Sequence, residues 1–159
     1  MIERDVLQRV LAGAVSGGAE FAEVYAEDKR STSAGLDDGR VEQVSSGRDR
    51  GAGIRVVAGE TTGFAYTSDL SESGLAAAAA AAAAAAKHGG GGVRTIALTP
   101  SPPHRPNTVE RDPDSVAKAA KVELLLQMNE AARSFGPEIV QVSAGYGDSR
   151  KRVLVANTD

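Results

Sequence analysis

The sequence predicts an α+β fold: a mainly antiparallel β-sheet covered by two or three α-helices, arranged as two α/β segments joined by a Gly/Pro-rich linker. Three observations carry this. Residues 51–70 hold two short apolar runs, Ile54 to Ala58 and Phe64 to Thr67, on either side of a Gly59-Glu60-Thr61-Thr62-Gly63 turn, which reads as a β-hairpin. Upstream of it, residues 20–46 alternate with a period of two and are interrupted by Asp37-Asp38-Gly39, a tight-turn signal. Two further stretches, 72–86 and 113–135, carry helical composition or periodicity.

In chain order, residues 3–15 place Val6, Val10 and Ala14, with Leu7 and Leu11 alongside, on one face of an amphipathic helix that Gly17-Gly18 ends. Ala22, Val24 and Ala26 alternate with Glu23, Tyr25 and Glu27 in a half-buried first strand. Ser31 to Leu36 reads as a second strand and Arg40 to Ser46 as a third, with Ser45 to Gly51 a looser connection before the hairpin. Short strands joined by turns imply antiparallel pairing. Ser71 then offers an N-cap, with Leu70 and Leu75 at the staple positions and Glu72 at the positive end of the helix dipole. Ala76 to Ala86 continues that helix with the highest intrinsic propensity but no bulky stripe, and Lys87, His88 and Gly89 close it.

Residues 89–108 form the expected linker, stiffened by Pro100, Pro102, Pro103 and Pro106, with Ile96 and Leu98 as a short strand inside it. The domain expectation is therefore 1–88, a linker over 89–108, and a second segment over 109–159. That segment opens on Asp112-Pro113, a capping pair, and Val116, Ala120, Leu124, Met128, Ala131 and Phe135 define its core-facing helix stripe. Gly136-Pro137 stops the helix, Ile139 to Tyr146 forms a strand, Gly147-Asp148-Ser149 turns, and Arg150 to Ala156 returns. The sequence stops at Asp159 directly after that strand, an abrupt end expected of a chain that continues in a longer protein.

Composition narrows the function classes. Of 159 residues, 42% are apolar but only 4% aromatic, and much of the apolar share is alanine, so the core is thin for the length. A net charge of −3 opposes a nucleic-acid surface; the local clusters Arg48 to Arg50 and Arg150 to Arg152 read as solvated hairpin positions. The absence of cysteine removes thiol catalysis, disulfides and thiolate metal sites within this chain and fits the cytoplasm. Leu75 to Ala86 is shorter than the ~20 residues a membrane span needs, and the charged N-terminus is unlike a signal peptide.

No motif assembles an active site. A zinc-peptidase helix presents paired histidines around a glutamate, whereas the two histidines here, His88 and His104, lie at a helix end and among prolines. Gly89 to Gly92 lacks the Gly-Lys-Ser/Thr of a phosphate loop, and Gly51-Ala-Gly53 leads into a strand where a dinucleotide turn needs a helix. The serines at 31, 33, 45, 46, 68 and 71 have no base near them in sequence. Asp37-Asp38 is explained by its turn. Arg55, within an apolar strand, is the most informative single charge: it faces solvent on the polar side of the strand, or it makes a partner-facing or inter-domain salt bridge.

The stretch from Ala19 to Ala86 resembles the N-terminal region of the TldD/PmbA family, once described as modulators of DNA gyrase. The matching residues are Ala22-Glu23-Val24, Leu36-Asp37-Asp38-Gly39-Arg40-Val41-Glu42, Gly51-Ala-Gly-Ile-Arg-Val and Gly63-Phe-Ala-Tyr-Thr-Ser-Asp-Leu-Ser. Their marker positions are Asp38, Gly39, Gly51, Gly53, Arg55, Gly63, Phe64 and Tyr66, and the pattern is closer to TldD than to PmbA (TldE). Residues 114–159 resemble the family's next segment, ending in Asn157-Thr158-Asp159. The long alanine run and the glycine-proline linker depart from the family pattern. The resemblance implies a zinc metallopeptidase acting on small or unfolded peptides. Its His-Glu-x-x-x-His zinc site lies in a C-terminal half that no residue here matches, and its partner is a TldE/PmbA-like subunit or a second copy. Neither catalytic nor metal residues are expected in this chain, and no cofactor. The resulting expectation is a non-catalytic N-terminal portion that shapes a peptide-access chamber or subunit interface, inactive alone, with no nucleic-acid or membrane partner. The alternative is a freestanding peptide- or protein-binding module.

Overall fold

The computed structural model describes residues 1–86, 95–102 and 109–159. The elements are α1 (Arg4–Val15), β1 (Phe21–Asp37), β2 (Arg40–Ala58), β3 (Thr61–Thr67), α2 (Glu72–Ala85), a 3-10 turn (Pro113–Ser115), α3 (Lys118–Arg133) and β4 (Ser143–Asn157). The strands form a four-stranded antiparallel sheet in the order β3-β2-β1-β4, and with three α-helices this is the α+β class the sequence predicts. The helix end expected at Lys87 to Gly89, the glycine run 89–92, His88, His104, Pro103 and Pro106 lie outside the described residues.

The strands are fewer and longer than the sequence reading expects. The first and second strands are one, β1, and the looser connection at Ser45 to Gly51 is part of β2. The expected breaks fall where alternation fades, at Asp28-Lys29-Arg30 and Ser45 to Arg50. It fades there because both faces are largely exposed, while the backbone stays extended. The turn expected at Gly147-Asp148-Ser149 is likewise strand, since every second residue from Ala144 to Arg150 stays half-buried straight through it. The connecting turn between β2 and β3 contracts to Gly59-Glu60, so Thr61 pairs with Ala58 and Gly63 with Val56. Ile96 is buried without belonging to a strand.

The described residues divide into two compact units. The first draws on Met1–Asp28, Asp49–Pro103 and Arg152–Asp159, the second on Lys29–Arg48 and His104–Lys151. In the first, Leu7, Val10, Leu11, Ala14 and Val15 of α1 share a core with Ala22, Val24 and Ala26 of β1 and Ala52, Ile54 and Val56 of β2. Leu75, Ala78, Ala79 and Ala82 of α2 complete it. Ser71 caps α2 by accepting from the Gly74 N–H at 3.2 Å. Alanine lets α2 approach β3 very closely: a Cβ placed on Gly63 would lie 1.9 Å from the Ala82 carbonyl oxygen. At the far end of α2 the Thr61 hydroxyl reaches the carbonyl oxygens of Ala58 (2.8 Å) and Ala86, giving an otherwise orphaned helix-end acceptor a partner.

In the second unit β1 turns into β2 through Asp38 and Gly39, both at positive φ (47° and 79°), the geometry an Asp-Gly hairpin supplies. The Asp38 carboxylate pairs with Arg133 of α3, and Asp37 accepts from Ser143 at 2.5 Å and Gln141 at 3.1 Å. The Asp112 carboxylate caps the 3-10 turn, so Asp112-Pro113 opens a short turn and α3 begins only at Lys118. The expected core stripe of this helix is not the buried one. Lys121, Leu125 and Asn129 are buried, while Leu124, Met128 and Phe135 are exposed. The apolar core here is small, Ala34, Leu36 and Leu125 with Leu126, Ala144 and Tyr146 against it.

Candidate functional site

The first unit carries a groove of about 620 Å³ on the solvent face of the hairpin, the side of the strands turned away from the core residues Ala52, Ile54 and Val56. The register builds it. Arg55 stands opposite Phe64 and Gly53 opposite Tyr66, so all four share one face of β2 and β3, and Glu23 and Tyr25 of β1 continue the lining. Gly53 leaves room for the Tyr66 ring, which would sit 3.2 Å from any Cβ at that position. Gly51 brings the backbone close to the Thr67 carbonyl, where a Cβ would stand at 3.0 Å.

Arg55 organises the groove. Its guanidinium carbon lies 5.1 Å from the centroid of the Phe21 ring, within cation–π range, and one terminal nitrogen stands 3.6 Å from Glu23 Oε1. That contact is an ion pair but too long for a hydrogen bond. The Arg55 Nε–H is covered and, among the described residues, is the buried side-chain polar group left without a hydrogen-bond partner. Beside it Phe64 and Tyr66 are 56% and 81% exposed, large aromatic areas held on regular strands. Tyr25 donates its hydroxyl to Glu27 at 2.8 Å. Of the eight marker positions, Gly51, Gly53, Arg55, Phe64 and Tyr66 therefore belong to one groove. Gly63 faces α2, and Asp38-Gly39 forms a hairpin turn in the second unit.

The second unit holds a polar cluster that the sequence reading misses. Lys121, 5% exposed, donates to Asp148 at 2.7 Å and lies 5.6 Å from the centre of the Tyr146 ring. The hydrogen bond to Lys121 holds the Asp148 carboxyl below its ordinary range, and the same bond raises the Lys121 ammonium. Tyr146 is raised by its own bond to Asp148. The sequence does carry a signal: Lys121, Leu125 and Asn129 recur every four residues, and Tyr146 and Asp148 keep strand parity. The competing apolar stripe masks it. The Ser31, Thr32 and Ser46 hydroxyls line a separate cavity of about 520 Å³ in this unit with Arg30 and Lys118, and Lys118 donates to Ser46 at 2.9 Å.

Among the described residues no three His, Cys, Asp or Glu side chains are placed to hold a metal ion, so these residues do not fit a zinc site. No helix among them is long and apolar enough to cross a membrane.

Comparison with known proteins follows the same outline. Residues 22–86 match the model of the PmbA/TldA metallopeptidase domain 1, and residues 111–159 that of the PmbA/TldA metallopeptidase central domain. A metalloprotease TldD homologue of Haemophilus influenzae is 31% identical over 145 residues, covering 88% of this chain and 29% of the relative. A metalloprotease of Methanothermobacter thermautotrophicus is 28% identical over 158 residues, covering 99% and 34%. The chain thus spans about a third of the length of the curated relatives it matches. Two solved structures share its fold. One is a protein from Thermotoga maritima described as a candidate modulator of a DNA gyrase, with TM-score 0.75, 17% identity and coverage of 97% of this chain and 35% of that one. The other is TldE from Thermococcus kodakarensis, with TM-score 0.66, 16% identity and coverage of 95% and 35%. The two family models together cover most of the sequence in the order in which they occur along it, and the chain belongs to the PmbA/TldD family.

Proposed function

We propose that this chain is the non-catalytic N-terminal portion of a TldD-like metallopeptidase, working in the cytoplasm with a TldE/PmbA-like subunit or a second copy. In this reading residues 1–88 and 109–159 are successive family segments joined over 89–108. They shape the approach of a peptide to a zinc site supplied elsewhere in the protein, and the peptides hydrolysed are small or unfolded. The carrying observation is the groove on the solvent face of β2 and β3. It pairs exposed aromatic surface with a guanidinium that lacks a full set of partners, and among the described residues it holds no metal-ligand cluster. Such a surface recognises and positions rather than reacts. β3 is also an edge strand, and a peptide can add to such an edge through main-chain hydrogen bonds.

The test is mass spectrometry of peptide digestion by the 159-residue chain alone and by the longer TldD-like polypeptide with its partner, each with and without a chelator. Cleavage confined to the longer assembly and abolished by chelation is the expected result. Chelator-sensitive cleavage by the 159-residue chain alone would overturn it. Specific binding to a folded partner, with no cleavage by any assembly, favours the freestanding binding module instead.

A further inference from the structure

We infer that the Arg55 groove recognises an extended peptide carrying an aromatic side chain and, two residues away on the same face, a basic one, with a main-chain carbonyl rather than a carboxylate as the group that engages Arg55. The choice of a peptide rests on the function proposed above; the choice of its chemistry rests on the groove. Phe64 and Tyr66 keep 56% and 81% of their surface exposed on adjacent turns of the strand pleat, so an aromatic ring laid against them removes apolar area from water on both sides. The register sets Phe64 opposite Arg55 and Tyr66 opposite Gly53, so both rings stand on the same face of the hairpin as the guanidinium.

The polar half of the recognition follows from Arg55. A buried N–H without an acceptor is costly, and an incoming carbonyl oxygen relieves that cost. It reaches the Nε–H once the guanidinium tilts away from its 3.6 Å contact with Glu23 and its place over the Phe21 ring. A free carboxylate would satisfy the same donor but meets the wrong field. Glu23, Glu27 and Asp49 line the groove against Arg50 and Arg55, and Arg55 is already beside Glu23. The surplus of carboxylates repels an anion and attracts a lysine or arginine side chain.

The experiment is a fluorescence-anisotropy titration of the 159-residue chain with a labelled, end-blocked Ala-Phe-Ala-Lys-Ala peptide, compared with Ala-Phe-Ala-Glu-Ala and Ala-Ala-Ala-Lys-Ala. Saturable binding of the first, weakened about tenfold or more in each of the other two, is expected, the scale on which one lost anchor reads out. Phe64→Ala and Arg55→Met are expected to weaken it similarly, and Glu72→Gln, outside the groove, to leave it unchanged. Phe64 is exposed, so its variant tests binding without removing core; circular dichroism confirms that each variant is folded. Absence of saturable binding, tighter binding of the glutamate peptide, or binding indifferent to Phe64→Ala in a folded variant would overturn the inference. Because no cleavage is read, a null here beside chelator-sensitive cleavage by the longer assembly rejects this groove alone. Groove binding beside an inert assembly rejects the peptidase reading alone.

Discussion

The two compact units are stabilised by different physics. The first has an apolar core whose buried residues come mainly from α1, α2 and the strands β1 and β2, with Leu11, Ile54, Leu75, Val15, Val24 and Val56 fully buried among many alanines. The second has three buried apolar residues, and on the inner face of α3 its buried neighbours are Lys121 and Asn129. Charged contacts are prominent there: the buried pair Lys121 with Asp148, and the more exposed pairs Arg133 with Asp38 and Arg150 with Asp112 at 2.6 Å, which solvent screens. Alanine explains the contrast. It contributes little area per residue but permits backbone-to-backbone approach, so the first unit gains from closeness. The second, with larger side chains turned outward, depends on satisfied polar pairs.

This contrast can be broken most severely at Gly63. Substitution to alanine sets a methyl carbon against the Ala82 carbonyl, with the Ala86 nitrogen also within 2.7 Å, and neither is a side chain that can rotate away. The expected loss lies at or above the upper end of the usual overpacking cost of about 1–3 kcal/mol. Thermal unfolding checks it, and an unchanged Tm would mean that α2 does not pack this closely. Next in size is Leu11→Ala, which empties a fully buried site in the larger core and should cost about 2–5 kcal/mol by denaturant unfolding. Leu125→Ala should fall at the lower end of that range, because the small cluster around it has less structure to hold a cavity open.

Acid should separate the units. Asp148 and Asp37 are both held below the ordinary carboxyl value, Asp148 first by Lys121 and Asp37 first by Ser143. Their contribution is therefore complete above the unfolded value of about 4 and is lost as pH falls through the folded ones. Lys121 is raised, so its share is complete below the unfolded lysine value of about 10.4 and is lost only as pH climbs through the folded one. Two-dimensional NMR between pH 7 and pH 3 should show the α3 and Tyr146 resonances collapsing before those of α1. In Asp148→Asn the acid transition should flatten and Tm at neutral pH should fall, since Lys121 then stays buried without its counter-ion. Simultaneous loss of both units, with no change in the variant, would show that the polar cluster carries no stability of its own. The smallest effect belongs to the α2 cap: Ser71→Ala should cost about 1 kcal/mol and raise hydrogen exchange chiefly in the first turn of that helix.

Legibility in the sequence tracks how local the governing interaction is. The α1 stripe, the Asp38-Gly39 turn and the Ser71 cap are readable because each depends on residues within one or two turns of chain. Strand ranges fail where alternation stands proxy for extension. β1 and β2 run on through residues exposed on both sides, and β4 runs through Gly147-Asp148-Ser149 because Asp148 keeps its parity and meets Lys121. The α3 face fails for a complementary reason. Periodicity finds the apolar stripe but not what covers it, and this helix turns Leu125 inward between a paired lysine and an asparagine while Leu124 and Met128 face out. In the groove the marker residues are nameable from their pattern, yet that five of the eight line one surface requires the register of β2 on β3.

The amino-acid sequence by itself determined the α+β class, the Asp38-Gly39 turn, the helix cap, the lack of cysteine and the family to which the chain belongs. All of these are set by composition, short-range spacing or recurring motif. Tertiary structure alone decided that Gly63 yields its side-chain space to the backbone of α2, that Lys121 is buried against Asp148, and that Arg55 is left with an unpaired N–H beside two exposed aromatic rings. Each of these depends on atoms brought together from distant points of the chain, and only the packed fold specifies which polar groups find partners and which remain available to a ligand.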